Sequence, residues 1–153
     1  MTGDTSTNAQ GEGAGRSDGL GWRWERTYPP EAGTVRRCRM EAADALRGAG
    51  VRAGTIADAL LVLSELVGNA VRHAATEFTV SAAVAAGVLR VEVVDRDPRP
   101  PAQQGLDAQS VGGRGLHIVG GLATDWGWEL VGDGSGATGK KVWAEFAPGT
   151  SGT

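Results

Sequence analysis

The spacing of apolar residues changes period several times along this chain, and each change marks an element. Trp22-Arg23-Trp24-Glu25-Arg26-Thr27-Tyr28 alternates strictly and predicts a strand that ends at Pro29-Pro30. Over residues 31–49, Val35, Cys38, Ala42, Ala45, Leu46 and Ala49 recur at helical spacing, and Gly50 is a suitable stop. A second helix is predicted over 55–74, with Thr55 as N-cap and Asp58 at the capping-box spacing. Residues 78–85 and 88–94 read as two strands joined by a hairpin turn at Ala86-Gly87. A long Pro/Gly/Gln loop follows over 96–112, then a short helix over 115–123. Strands over 124–131 and 141–146 close the pattern around a Gly-rich turn. The order β-α-α-β-β-loop-α-β-β predicts an α+β two-layer sandwich: a mixed, mostly antiparallel sheet with helices on one face.

The second helix has two contrasting sides. Ile56, Ala59, Leu60, Leu63, Leu66, Val67, Ala70 and Val71 share one apolar arc. Glu65, Asn69, Arg72 and His73 fall together on the other side. A carboxylate, an amide, a guanidinium and an imidazole in one row suit a divalent cation and a polyphosphate. Asn69 has a hard oxygen for the cation, Arg72 has donors for phosphate, and Glu65 can accept a proton. Taken alone, the row is equally well read as the solvated side of an amphipathic helix.

Composition narrows the class. At 153 residues, 41% of them hydrophobic, the chain fits one domain with a core of its own. The first 20 residues are almost wholly polar and Gly-rich, so 1–20 is expected to be a disordered tail, 148–153 a second frayed end, and 21–147 the folded domain. The net charge of −3 gives no overall basic field for nucleic acid. The single cysteine, Cys38, excludes an intramolecular disulfide and a cysteine zinc site, and reads as a small core residue. With no apolar signal core and no run of about 18 apolar residues, a cytoplasmic protein that does not span a membrane is the default expectation.

Two further segments carry candidate chemistry. Asp95 ends the apolar strand Val91-Glu92-Val93-Val94, where a carboxylate can point into a pocket and accept from an adenine amino group; taken alone, it reads more readily as the start of a turn. Gly112-Gly113-Arg114-Gly115-Leu116 places glycines just before a helix, where successive N–H groups can hold an anion. His117, one turn further on, reads as a packing or surface residue. Trp126, Trp128 and Trp143 fit alternating strand positions, and Arg36, Arg37 and Arg39 fit a solvated helix face.

In this order and spacing the three segments resemble the Bergerat-fold (histidine-kinase-like) ATP-binding domain. Gyrase-type topoisomerases, histidine kinases and the bacterial anti-sigma-factor serine/threonine kinases share that domain. Glu65-x-x-x-Asn69-Ala70 matches its N box, Asp95 the aspartate of its Asp-x-Gly-x-Gly box, and Gly113-Arg114-Gly115-Leu116 its second glycine box. The resemblance covers roughly residues 22–146 and is greatest to the anti-sigma kinases. It implies Mg²⁺ on Asn69, Glu65 as general base, and phosphate contacts from Arg72, with His73 a lesser candidate. It further implies adenine on Asp95 and phosphates on the backbone from Gly113 to Leu116. The implied partners are a small anti-sigma antagonist and a sigma factor, with a homodimer among the assemblies allowed. In the family the first helix lies near the partner surface, which gives its arginines a second reading.

The chain departs from the pattern in places. Its two glycines after the aspartate are Asp97 and Arg99 here, and Lys141 stands near the place where the family often has a Thr beside adenine. Three functions therefore stay open: a serine/threonine kinase of anti-sigma type; a nucleotide-binding or degenerate interaction module without phosphotransfer; and the catalytic half of a histidine kinase. The last is disfavoured, because residues 1–21 do not supply a phospho-accepting helical hairpin.

Overall fold

The structure is a computed structural model that describes residues 21–101 and 119–147. Five strands form one sheet: β1 Trp22–Tyr28, β2 Phe78–Ala85, β3 Val88–Asp95, β4 Asp125–Gly132 and β5 Ala137–Phe146. Their spatial order is β1-β2-β3-β5-β4, and each neighbouring pair is antiparallel. Helix α1 is Thr34–Gly48 and α2 is Ala53–Asn69; α2 continues into a π-helical turn at Ala70–Ala74. This is the α+β sandwich that the element order implies. The two tails, 1–20 and 148–153, lie outside the described residues, as does most of the expected loop and short helix; a helical stretch remains at 119–122.

One face of the sheet is apolar because every second residue is. Phe78, Val80 and Ala82 of β2, Leu89, Val91 and Val93 of β3, and Val142, Ala144 and Phe146 of β5 are all buried. Against them pack Leu63, Leu66 and Val67 of α2 and Cys38, Ala42 and Leu46 of α1. Val62 is fully buried as well, although it lies outside the arc expected from the sequence. The reason is that α2 contacts both the sheet and α1, so its apolar arc must be wider than that of a helix with one neighbour. Burial pushes the Cys38 thiol up to about 11, as suits a packing residue.

Two helix starts differ from expectation. α1 begins at Thr34, after a turn in which the Thr34 hydroxyl donates to the Pro29 carbonyl at 2.9 Å. α2 begins at Ala53, with Arg52 as N-cap and no side-chain cap. Thr55 is not the cap: the Ile56 N–H already reaches the Arg52 carbonyl at 2.9 Å, which places Thr55 inside the first turn, where it is buried. The sequence suggested no segment apolar enough to cross a bilayer, yet helical residues Ala53–Ala74 pass that test by length and composition. Half of the window is buried in the domain, which accounts for its composition without a membrane.

The other sheet face is polar. Arg90 pairs with Glu92 at 2.6 Å and Glu145 at 2.8 Å, and stacks 4.3 Å over the Trp143 ring. Lys141 belongs to this face, 3.8 Å from Glu92 and 3.6 Å from Glu129. At the β1 side, the Tyr28 hydroxyl donates to Glu41 at 2.5 Å while Arg37 lies 5.4 Å over its ring.

The chain after β3 turns tightly across β5, and Gly139 permits it. A Cβ there would lie 2.0 Å from the Asp95 carbonyl oxygen. We expect Gly139→Ala to cost about 1–3 kcal/mol in urea unfolding, since backbone has to move. Gly48, in α1 with open space around it, is the control: Gly48→Ala should be neutral or gain up to about 1 kcal/mol from helix propensity. Equal stability of Gly139→Ala and wild type would show that the close approach is not a constraint.

Candidate functional site

Helix α2 and the π-helical turn carry the first half of the site. Glu65 and Asn69 are half-buried and Arg72 is exposed. Glu65 has no hydrogen-bond or ion-pair partner among the described residues. Arg72 folds back so that its Nη2 donates to the Asn69 Oδ1 at 3.2 Å. Gly68 makes room for it: a Cβ on Gly68 would sit 3.1 Å from Arg72 Nη1. Gly68 was not singled out from the sequence. Its signal was a glycine in mid-helix, which costs about 1 kcal/mol against alanine and so calls for a packing reason.

Directly after Asn69 the helix widens. The Ala75 N–H bonds the Ala70 carbonyl at 2.9 Å, an i to i+5 bond, and Ala75 ends the turn in the left-handed region at φ 52°. The widened turn leaves the His73 carbonyl accessible to Arg99, whose Nη2 donates to it at 2.9 Å. Arg96 reaches the same corner: its N–H donates to the Thr76 hydroxyl at 3.1 Å, and its guanidinium pairs with Glu77 at 2.9 Å. The end of β3 and the end of α2 are thereby tied together.

The second half of the site is a charge cluster at the end of β3. Asp95 lies on the apolar side of the sheet, opposite Lys140 in the β3–β5 register. The Lys140 Nζ stands 3.2 Å from Asp95 Oδ1, 3.1 Å from Oδ2 and 2.9 Å from the Asp97 carbonyl. The two side chains are only 4% and 5% exposed, so this is a buried ion pair. The Asp97 N–H donates to Asp95 Oδ1 at 2.8 Å. Arg99 in turn grips Asp97 with its Nε at 2.9–3.0 Å and its Nη2 at 2.5 Å. The Arg99 hydrogen bonds hold the Asp97 carboxyl down to about 2, against an ordinary 3.8; burial opposes them, and the Lys140 charge adds to them.

Lys140 corrects a sequence expectation, which put Lys141 near Asp95. Alternation decides the matter: Val142, Ala144 and Phe146 point inward, and so does Lys140, while Lys141 points to the polar face. The missed signal was the length of β5, which starts at Ala137 rather than at 141.

The residues present fit one end of Mg-ATP better than the other. Glu65, Asn69 and Arg72 form a donor set suited to a cation and phosphates: one neutral oxygen, one guanidinium and one uncommitted carboxylate. Asp95 does not fit adenine as a free acceptor, because its carboxylate is sealed and paired with Lys140. Gly113, Arg114, Gly115 and Leu116 lie outside the described residues, as does His117. A separate hollow, lined by Thr55, Asp58, Leu122, Thr124 and Phe146, lies at the start of α2, away from these groups.

A family model described as histidine kinase-like ATPase domain matches residues 28–145. Among solved structures, the chain is similar to one holding the RsbU and RsbW domains of Rv1364c from Mycobacterium tuberculosis. The TM-score is 0.61 at 23% identity, over 82% of this chain and 32% of that one. It is also similar to a chain of the SiaB-SiaC complex from Pseudomonas aeruginosa, with TM-score 0.61 at 14% identity over 80% and 89%. The chain thus spans about a third of the length of the mycobacterial one. At these identities the likeness is one of fold. A search of curated proteins gave no match.

The Asp97–Arg99 contact predicts a pH dependence. The folded carboxyl titrates lower than the unfolded one, so its stabilising effect is full above about pH 4 and is lost as pH falls towards about 2. In urea unfolding across that window, wild type should lose stability more steeply than Arg99→Ala. Parallel curves would show that Arg99 does not hold the carboxyl.

Proposed function

The chain belongs to the histidine kinase-like ATPase domain family, and on that premise we propose that it is an ATP-binding regulator of anti-sigma type that phosphorylates a serine or threonine of a small antagonist protein. The observation that carries this reading is the row Glu65, Asn69 and Arg72 on one side of a helix whose other side is core.

The roles follow from the chemistry of each group. Asn69 would hold Mg²⁺ through its amide oxygen, in company with phosphate oxygens, since Mg²⁺ accepts few protein ligands. Arg72 would swing from Asn69 to neutralise phosphate charge, at the cost of one 3.2 Å hydrogen bond. Glu65, with no partner among the described residues, would take the proton of an acceptor hydroxyl as its oxygen forms the new bond to phosphorus. Bound Mg-ATP supplies the γ-phosphoryl group, and ADP leaves with the electron pair of the broken bond. The Gly113–Leu116 backbone N–H groups are proposed to hold phosphates, and His73 to line the same end. An antagonist protein and a sigma factor are the proposed partners, by analogy with the anti-sigma kinases.

A second reading is favoured by one observation. Asp97 and Arg99 stand where the family has glycines, and with Lys140 they seal Asp95. A protein so altered fits a partner-binding module in which the nucleotide site does no chemistry.

Calorimetric titration of Mg-ATP separates the outcomes. Wild type should bind saturably, and Asn69→Ala should weaken binding by about tenfold or more. Glu65→Gln should leave binding intact and lower phosphotransfer to an antagonist by about 10²–10⁴-fold. Binding without transfer, in wild type as in Glu65→Gln, would favour the module. No binding up to millimolar Mg-ATP would remove the nucleotide site altogether.

A further inference from the structure

The buried pair at the end of β3 bears on which nucleotide the site can accept, an inference that rests on the nucleotide reading above. Adenine and guanine differ at the purine 6-position, where one carries an amino donor and the other a carbonyl acceptor. A free carboxylate facing that position accepts from the amino group and repels the carbonyl lone pairs, so it discriminates between them. Asp95 is not free. Lys140 stands 3.1–3.2 Å from both its oxygens, and the Asp97 N–H occupies Oδ1 at 2.8 Å. Both side chains are almost fully enclosed.

The enclosure is built, not incidental. Register places Lys140 directly across from Asp95 on the inward face. Gly139 lets the chain after Asp95 cross closely enough for the Asp97 carbonyl to accept from Lys140 at 2.9 Å. Arg99 then fixes Asp97 from outside and anchors it to the His73 carbonyl. The two positive and two negative groups satisfy one another, so the cluster carries no net charge to favour an amino group over a carbonyl.

We propose that Lys140 is a specificity-determining residue that removes discrimination at the purine 6-position, so that the site takes 6-amino and 6-oxo purine nucleoside triphosphates alike. Affinity then resides in the triphosphate end, at Asn69 and Arg72. Lys140→Thr uncovers the Asp95 carboxylate and should create a preference for ATP.

The test is equilibrium binding of Mg-ATP, Mg-GTP and Mg-tripolyphosphate to the full chain, as wild type and as Lys140→Thr. One charge-assisted hydrogen bond is enough to separate two ligands by about tenfold or more. Wild-type dissociation constants for ATP and GTP should differ by less than about fivefold, with Lys140→Thr favouring ATP by about tenfold or more. A wild-type preference for ATP above about fivefold overturns the proposal, as does a folded Lys140→Thr with an unchanged ratio. If Lys140→Thr does not fold, the wild-type ratio decides alone. Wild type that binds tripolyphosphate but prefers ATP sinks this inference and leaves the proposed function standing. Wild type that binds none of the three sinks both.

Discussion

Burial of one sheet face by α2 is the constraint on which the rest depends. The inward residues of β2, β3 and β5 form a continuous apolar surface that has to be covered. Because α2 also supports α1, nearly its whole circumference is apolar. A polar strip remains, and Glu65, Asn69 and Arg72 lie on it. Their placement is thus a by-product of core packing, which fixes the helix rotation and with it the direction of each polar side chain. The close-packed core makes that rotation stiff, so the strip is preorganised by packing, with the single Arg72–Asn69 hydrogen bond inside it.

The end of the strip meets the end of β3 through polar contacts rather than apolar ones. Arg99 to the His73 carbonyl, and Arg96 to Thr76 and Glu77, join the two. Behind them lies the Lys140–Asp95 pair. Taking charges out of water is costly, and removing one partner of a buried pair typically costs about 3–5 kcal/mol, because the other is left unpaired. The members of this cluster therefore depend on one another. Lys140 needs the Asp95 carboxylate and the Asp97 carbonyl, Asp97 needs Arg99, and the close crossing needs Gly139.

The two ends of the site consequently differ in kind. At the Asn69 end the polar groups are accessible and lightly engaged, the condition for gripping a ligand that arrives with its own charge. At the Asp95 end they are saturated and enclosed, the condition of a structural element. On the proposed reading, this chain keeps a phosphate-binding half and rebuilds a base-binding half, because phosphate recognition uses charge and backbone whereas base recognition uses one or two aimed hydrogen bonds. The fold is shared with the RsbW-containing and SiaB-SiaC structures; the chemistry has to be argued from this chain's own residues.

Much of this was legible in the sequence where the signal is local. Alternation located β1 at Trp22–Tyr28 and β2 at Phe78–Ala85, and helical spacing placed Glu65, Asn69 and Arg72 on one side of α2, because period follows directly from backbone geometry. Ala86-Gly87 was read as a hairpin turn, and both residues have positive φ. Other features are not local. Thr55 resembles an N-cap until the Arg52 carbonyl is seen to start the helix upstream. Lys140 and Lys141 are neighbours of identical chemistry, and a Gly-rich turn before them hides where β5 begins. Only pairing with β3 decides that Lys140 faces Asp95 and Lys141 the polar side of the sheet, beside Glu92. The sequence by itself determined the sheet-and-helix class, most of the elements and the placement of Glu65, Asn69 and Arg72 on one side of a helix, since these depend on spacing along the chain. Tertiary structure alone decided that the aspartate after β3 is sealed, because that depends on strand register and on a lysine 45 residues away.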